Sequence, residues 1–112
     1  MRRRKTIHAQ AVGLSLILGL IGLAVVTAAQ EFKPELVWAE KQEYLRGETL
    51  EALRRTGARL VHFTPDPYFT LSWKRTRLMD EAIREFDVLV FCKNYERKDY
   101  SALGRPLVYM PL

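Results

Sequence analysis

Asp66 stands between Pro65 and Pro67, directly after the apolar run Arg59-Leu-Val-His-Phe63 and Thr64. Leu60, Val61 and Phe63 favour the pleated conformation, and Pro65 lacks the backbone donor a central strand needs. A strand over 59–63 is therefore predicted to end there and to deliver Asp66 to a loop. In open α/β sheets that carboxyl edge is where ligands bind, so the position of Asp66 matters more than its residue type. An ordinary turn carboxylate is the alternative reading. Lys93 and Asn94 stand in the same relation to a second apolar run, Asp87 to Cys92. His62 falls inside the first predicted strand, as a core histidine or a base. Cys92 reads as a small buried hydrophobe. One histidine and one cysteine in the domain, without spaced partners, make no metal site. Neither a Gly-x-Gly-x-x-Gly nor a Walker lysine loop occurs, so neither phosphate cradle is expected.

The elements that would position these residues alternate. Leu36, Val37 and Trp38 predict a brief strand ending at Glu40 and Lys41. Gly47 and Glu48 open a helical pattern with Leu50 and Leu53 on one face and Arg54 and Arg55 near its carboxyl end, where cations suit the dipole; Gly57 closes it. After Pro67 comes an aromatic-rich loop, Tyr68 to Trp73, with Ser72 as a cap for the next helix. Leu78, Met79, Ala82, Ile83 and Phe86 recur at helical spacing and are expected to pack on a sheet. Val88 to Phe91 read as a strand covered on both faces. A short helix from about Glu96 to Leu103 stops at Gly104, and Leu107 to Met110 form a last strand after Pro106. Such alternation predicts one α/β domain with a small, mostly parallel four-stranded sheet and helices on its faces.

Ahead of this domain the sequence changes character. Residues 1–10 carry a basic cluster, Arg2, Arg3, Arg4 and Lys5, while residues 11–29 hold no charge and nothing more polar than Ser15 and Thr27. As a helix, 11–29 would reach roughly 28 Å, about the hydrocarbon thickness of a bilayer. A transmembrane anchor and a signal segment cleaved near Ala28 both fit. The basic flank predicts a single-pass orientation with the amino terminus cytoplasmic; secretion after cleavage, or a cytoplasmic domain if the segment is no true anchor, are the alternatives. The 112 residues carry 18 Lys and Arg against 13 Asp and Glu. Removing the four terminal cations leaves 14 against 13, so the net +5 is a tail property and no nucleic-acid surface is expected.

Four stretches in order, Glu35-Leu-Val-Trp-Ala-Glu-Lys41, Arg46-Gly-Glu-Thr-Leu-Glu-Ala-Leu-Arg-Arg-Thr-Gly-Ala58, Leu60-Val-His-Phe-Thr-Pro-Asp66 and Asp87-Val-Leu-Val-Phe-Cys-Lys93, resemble the amino-terminal half of CgeB-like glycosyltransferases. The resemblance covers about residues 32–112 and implies a Rossmann-like half of a two-domain GT-B fold. It implies that Lys41, Asp66 and Lys93 line a cleft edge as substrate-binding residues on the acceptor side, with catalytic residues unassigned. Pro67 stands where the family usually has a second acid, and Gly47 where it often has proline. The family's nucleotide-sugar donor binds a second domain, which would follow Pro111-Leu112. The chain by itself is therefore expected to hold no cofactor and to need a donor-binding domain or partner chain. The family's opening strand and helix are replaced by the apolar segment. A placement outside the cytoplasm also conflicts with cytoplasmic nucleotide sugars. From a different class, a single-pass anchored α/β binding or assembly protein without catalysis remains open.

Overall fold

The computed structural model describes residues 11–41, 44–70 and 75–112, with side chains described from residue 19 onward. It is an α/β structure whose strands, β1 (Leu36–Glu40), β2 (Arg59–Thr64), β3 (Val88–Phe91) and β4 (Leu107–Tyr109), form one all-parallel sheet in the order β1-β2-β3-β4. Helices α1 (Ala11–Phe32), α2 (Gly47–Arg55), α3 (Arg77–Ile83) and α4 (Arg97–Ser101) precede or connect them, with a 3-10 turn at Asn94–Glu96 leading into α4.

Strand pairing places Val37, Ala39, Leu60, His62, Leu89, Phe91 and Leu107 on one face and Leu36, Trp38, Val61, Phe63, Val88, Val90 and Val108 on the other. The first face is the main core. Leu50 and Leu53 of α2, Ala82 and Ile83 of α3, Phe86 after it and Tyr100 of α4 are all essentially inaccessible against it. The second face holds a smaller cluster, Val61, Phe63, Val90 and Cys92 with Val88 and Met110, to which no described helix contributes. This corrects the expectation of helices on both faces. Because the strand order never reverses, right-handed crossovers all step the same way and put their helices on the same side.

Helix ends follow local chemistry. Gly57 takes φ +100, where a Cβ would be strained, and closes α2 before β2. Thr76, and not the expected Ser72, caps α3 by accepting from the Met79 amide at 3.1 Å. Ser72 lies outside the described residues. Pro65 ends strand pairing as expected, β2 stopping at Thr64.

Helix α1 bears on the expected 11–29 span. Among the described residues no helix is long and apolar enough to cross a membrane. The basic tail 1–10 and the side chains of 11–18 lie outside the described residues. The carboxyl-terminal turns of α1 are docked on the domain: Ala29 is buried in the main core with Val25 and Val26 beside it. The approach to α2 is so close that a Cβ on Gly22 would lie 2.6 Å from Thr49 Oγ1.

Candidate functional site at the carboxyl edge of the sheet

In a parallel sheet all strands end at one edge, so the residues after β1, β2 and β3 converge there. Lys41 follows β1 with φ +54, a left-handed conformation uncommon for a residue with a side chain, and its amide donates to Phe63 O at 2.9 Å. This turn brings Lys41 Nζ to 3.5 Å from Asp66 Oδ2. On its own side the Asp66 backbone N–H donates to Thr64 Oγ1 at 3.2 Å, the serine/threonine-type turn that Pro65 and Pro67 frame. Both partners are about half exposed, so the ion pair adds little stability, and its groups stay accessible to a ligand. Lys93 lies at the end of the next strand, half-buried, and makes no ion pair with either among the described residues.

The loop carrying Asp66 continues into a structure that the sequence reading did not anticipate. Glu96, 1% exposed, turns its carboxylate onto the backbone of residues 68–70. Oε1 accepts from the Tyr68 amide at 2.9 Å, and Oε2 from the amides of Phe69 at 2.7 Å and Thr70 at 2.9 Å and from Thr70 Oγ1 at 3.2 Å. A single carboxylate thereby satisfies three backbone amides that lie outside any strand. Beside it, Tyr68 Oη donates to Asp80 Oδ1 at 2.9 Å, and Arg75 Nε reaches the same oxygen at 2.7 Å while its guanidinium lies over the Tyr68 and Phe69 rings. Burial first, then the Asp80 hydrogen bond, pushes the Tyr68 hydroxyl well above its ordinary range, so it stays a donor at any physiological pH. No sequence spacing points to Glu96, whose partners lie 26–28 residues earlier.

His62 lies beneath this loop, ringed by Tyr68, Phe86 and Tyr100 with centroids 5.5–6.1 Å away. Nε2 faces Tyr100 Oη at 3.4 Å, while Nδ1 has no partner among the described residues. Burial lowers its pKa to about 4. It is the core histidine of the two readings, only half satisfied and closed to solvent, which removes it as a general base. Burial likewise pushes the Cys92 thiol up, leaving it unreactive. Among the described residues no cluster of His, Cys, Asp or Glu could hold a metal.

A second feature missed by sequence lies on the β3–β4 side. The Arg97 guanidinium sits 5.1 Å from both the Phe91 and Tyr109 ring centroids, and its Nε donates to Asn94 Oδ1 at 3.0 Å. Exposed Tyr95 adjoins it in sequence. The site is thus a shallow polar edge with cations and one accessible carboxylate, suited to grip a hydroxylated or anionic small molecule.

No family model and no curated protein matches the chain. The likeness to CgeB-like glycosyltransferases thus rests on the four stretches of sequence alone.

Proposed function

We propose that residues 32–112 form the acceptor-side half of a CgeB-like sugar-transfer enzyme, associated with a membrane through the apolar segment and inactive without a donor-binding partner. The observation that carries this reading is the edge itself: Lys41 and Asp66 meet at 3.5 Å beyond β1 and β2, with Lys93 beyond β3. A parallel sheet offers ligands that edge, and three residues the resemblance assigns to an acceptor share it. Transfer requires donor and acceptor to be held together and charge on the departing diphosphate to be stabilised. The described edge supplies one wall of such a cleft.

Isothermal titration with nucleotide sugars, followed by a donor-hydrolysis assay, tests the reading. We expect neither saturable donor binding nor turnover from this chain alone. Donor binding that is lost on Asp66→Ala or Lys93→Ala and accompanied by turnover would overturn it. Titration with saccharides reports the acceptor side, where heat abolished by Lys41→Ala and Asp66→Ala is the supporting result.

The second reading, an anchored α/β binding or assembly protein without catalysis, is favoured by one observation. Leu36 and Trp38 on edge strand β1 and Val108 on edge strand β4 are about half exposed, as on a sheet that receives another chain. Saccharide titrations without heat would favour it.

Both readings include membrane attachment through the turns of the apolar segment that precede Gly22, since Val25, Val26 and Ala29 are docked on the domain. Alkaline carbonate extraction of the expressed chain is expected to leave the full-length protein with the membranes. Full-length protein in the soluble fraction would remove the anchor, and a shortened soluble product would indicate cleavage.

A further inference from the structure

We propose that the molecule bound at the carboxyl edge of the sheet is the hydroxylated headgroup of a membrane lipid, which the course of α1 brings to Lys41 and Asp66. The inference rests on the acceptor reading and on membrane attachment, and it names the form in which the acceptor is presented.

The direction of α1 carries it. Helix α2 returns the chain from the end of β1 to the start of the parallel strand β2, so its first turn lies at the carboxyl edge and its last at the amino edge. Two contacts set α1 beside α2 in the same direction. Gly22 meets Thr49 in the first turn of α2, whereas Gln30 and Lys33 line one surface cavity with Ala52, Arg55 and Thr56 at its last turn. The connection agrees, since only Lys33, Pro34 and Glu35 separate α1 from the start of β1 at the amino edge. Gly22 is thus level with the edge that carries Lys41, Asp66 and Lys93. The turns of α1 before it continue past that edge, and their residues carry no charge. At the level of the edge the helix still exposes apolar side chains, with Leu20, Ile21 and Leu23 at 37–52%.

A second observation is independent of α1. The three exposed tyrosines among the described residues, Tyr44, Tyr95 and Tyr109, all lie at the carboxyl edge: in the β1–α2 connection, in the turn after β3 and at the end of β4. A ring with one polar tip suits the headgroup layer of a bilayer. The site itself fits a confined ligand better than a dissolved one. Lys41 and Asp66 pair at 3.5 Å in contact with solvent, so the hydrogen bonds they offer a hydroxyl compete with water. A helix that holds this edge against a bilayer presents headgroups to it at an effective concentration in the ~millimolar range, which offsets weak contacts. An ammonium donor beside a carboxylate acceptor fits the neighbouring hydroxyls of a sugar headgroup.

The test uses the full chain in phosphatidylcholine vesicles, in a Cys92→Ala background with one added cysteine carrying a fluorophore. The label at Tyr95→Cys, on the carboxyl edge, is expected to lose most of its emission to lipids bearing a quencher on the headgroup. The label at Glu35→Cys, on the amino edge, is expected to keep most of its emission. A glucosyl diacylglycerol added to the vesicles should then shift the Tyr95→Cys emission saturably, at a bulk concentration at least about a hundredfold below that needed by dissolved methyl glucoside. Lys41→Ala with Asp66→Ala should abolish the shift and leave the quenching as it was; if that pair fails to fold, Asp66→Asn is read in its place. Equal quenching at the two edges, stronger quenching at Glu35→Cys, or a shift indifferent to the Asp66 substitution would overturn the inference. The quenching needs no sugar, which separates the two ideas. Methyl glucoside acting as well as the glucolipid would remove the lipid and leave the acceptor reading, whereas no response to either would remove both.

Discussion

Glu96→Ala is expected to destabilise the domain by about 3–4 kcal/mol, a large share of the ~5–10 kcal/mol that holds a small domain folded. The side chain is 1% exposed and accepts three backbone amides and one hydroxyl from residues 68–70. Alanine leaves those donors facing a cavity. Buried donors without acceptors cost about 1–3 kcal/mol each, moderated here because Thr70 can turn to water. Glu96→Gln keeps the shape and one acceptor oxygen but turns an amide group toward an amide, so about 2 kcal/mol is expected. Urea unfolding followed by circular dichroism measures both. The loop should loosen before the domain does, so amide exchange at Tyr68, Phe69 and Thr70 should accelerate in Glu96→Gln under native conditions. A loss below ~1 kcal/mol in Glu96→Ala, or unchanged exchange, would mean that the carboxylate does not hold this loop.

Acidification is expected to remove about 3 kcal/mol through His62 alone. Its folded pKa lies at about 4, below the unfolded value of 6.5, because burial penalises the imidazolium. Between these values the unfolded chain binds the proton and the folded chain does not. Stability from this group is therefore complete above about pH 6.5, falls as pH drops through the window, and is lost near pH 4. The size follows from about 1.4 kcal/mol per pKa unit. None of the rings around His62 supplies a carboxylate to hold the cation; Tyr100 Oη, the one polar neighbour at 3.4 Å, is itself kept protonated by burial. His62→Phe preserves a ring in the aromatic cluster and removes the titration. Subtracting its stability-versus-pH curve from that of the parent isolates the histidine from the surface carboxylates, which also titrate. A difference flat between pH 4 and 6.5 would contradict the assignment.

Both effects pass through the same loop. Tyr68 packs on His62 with one side of its ring and hands its amide to Glu96, so the Asp66 turn rests on a carboxylate and an imidazole that solvent does not reach. Loosening either should blunt the edge where Lys41 and Asp66 meet.

The sequence determined the elements themselves. Leu50 and Leu53 at helical spacing, Gly57 after them, and the unbroken run from Val88 to Phe91 fall where period and backbone freedom dictate, and the structure has α2, the left-handed turn and β3 there. Pro65 stopped β2 because a missing donor ends pairing in any context. Asp66 and Lys93 were legible as edge residues because in parallel sheets a position at a strand's end is a position at the edge. What surrounds them was decided by tertiary structure. The cap of α3 moved to Thr76, since several hydroxyl residues in one loop compete and packing selects among them. The apolar stretch 11–29 looked uniform, yet its later turns pack on the domain through the Gly22 contact with Thr49 and the buried Ala29, which hydropathy does not mark. The coverage of one sheet face was set by strand order, which no local pattern encodes. Glu96 and Arg97 were invisible for the same physical reason. A carboxylate that binds backbone amides, or a guanidinium that lies on two rings, recognises groups that every sequence contains, and only the chain's path brings residues 68–70 to one and Phe91 and Tyr109 to the other.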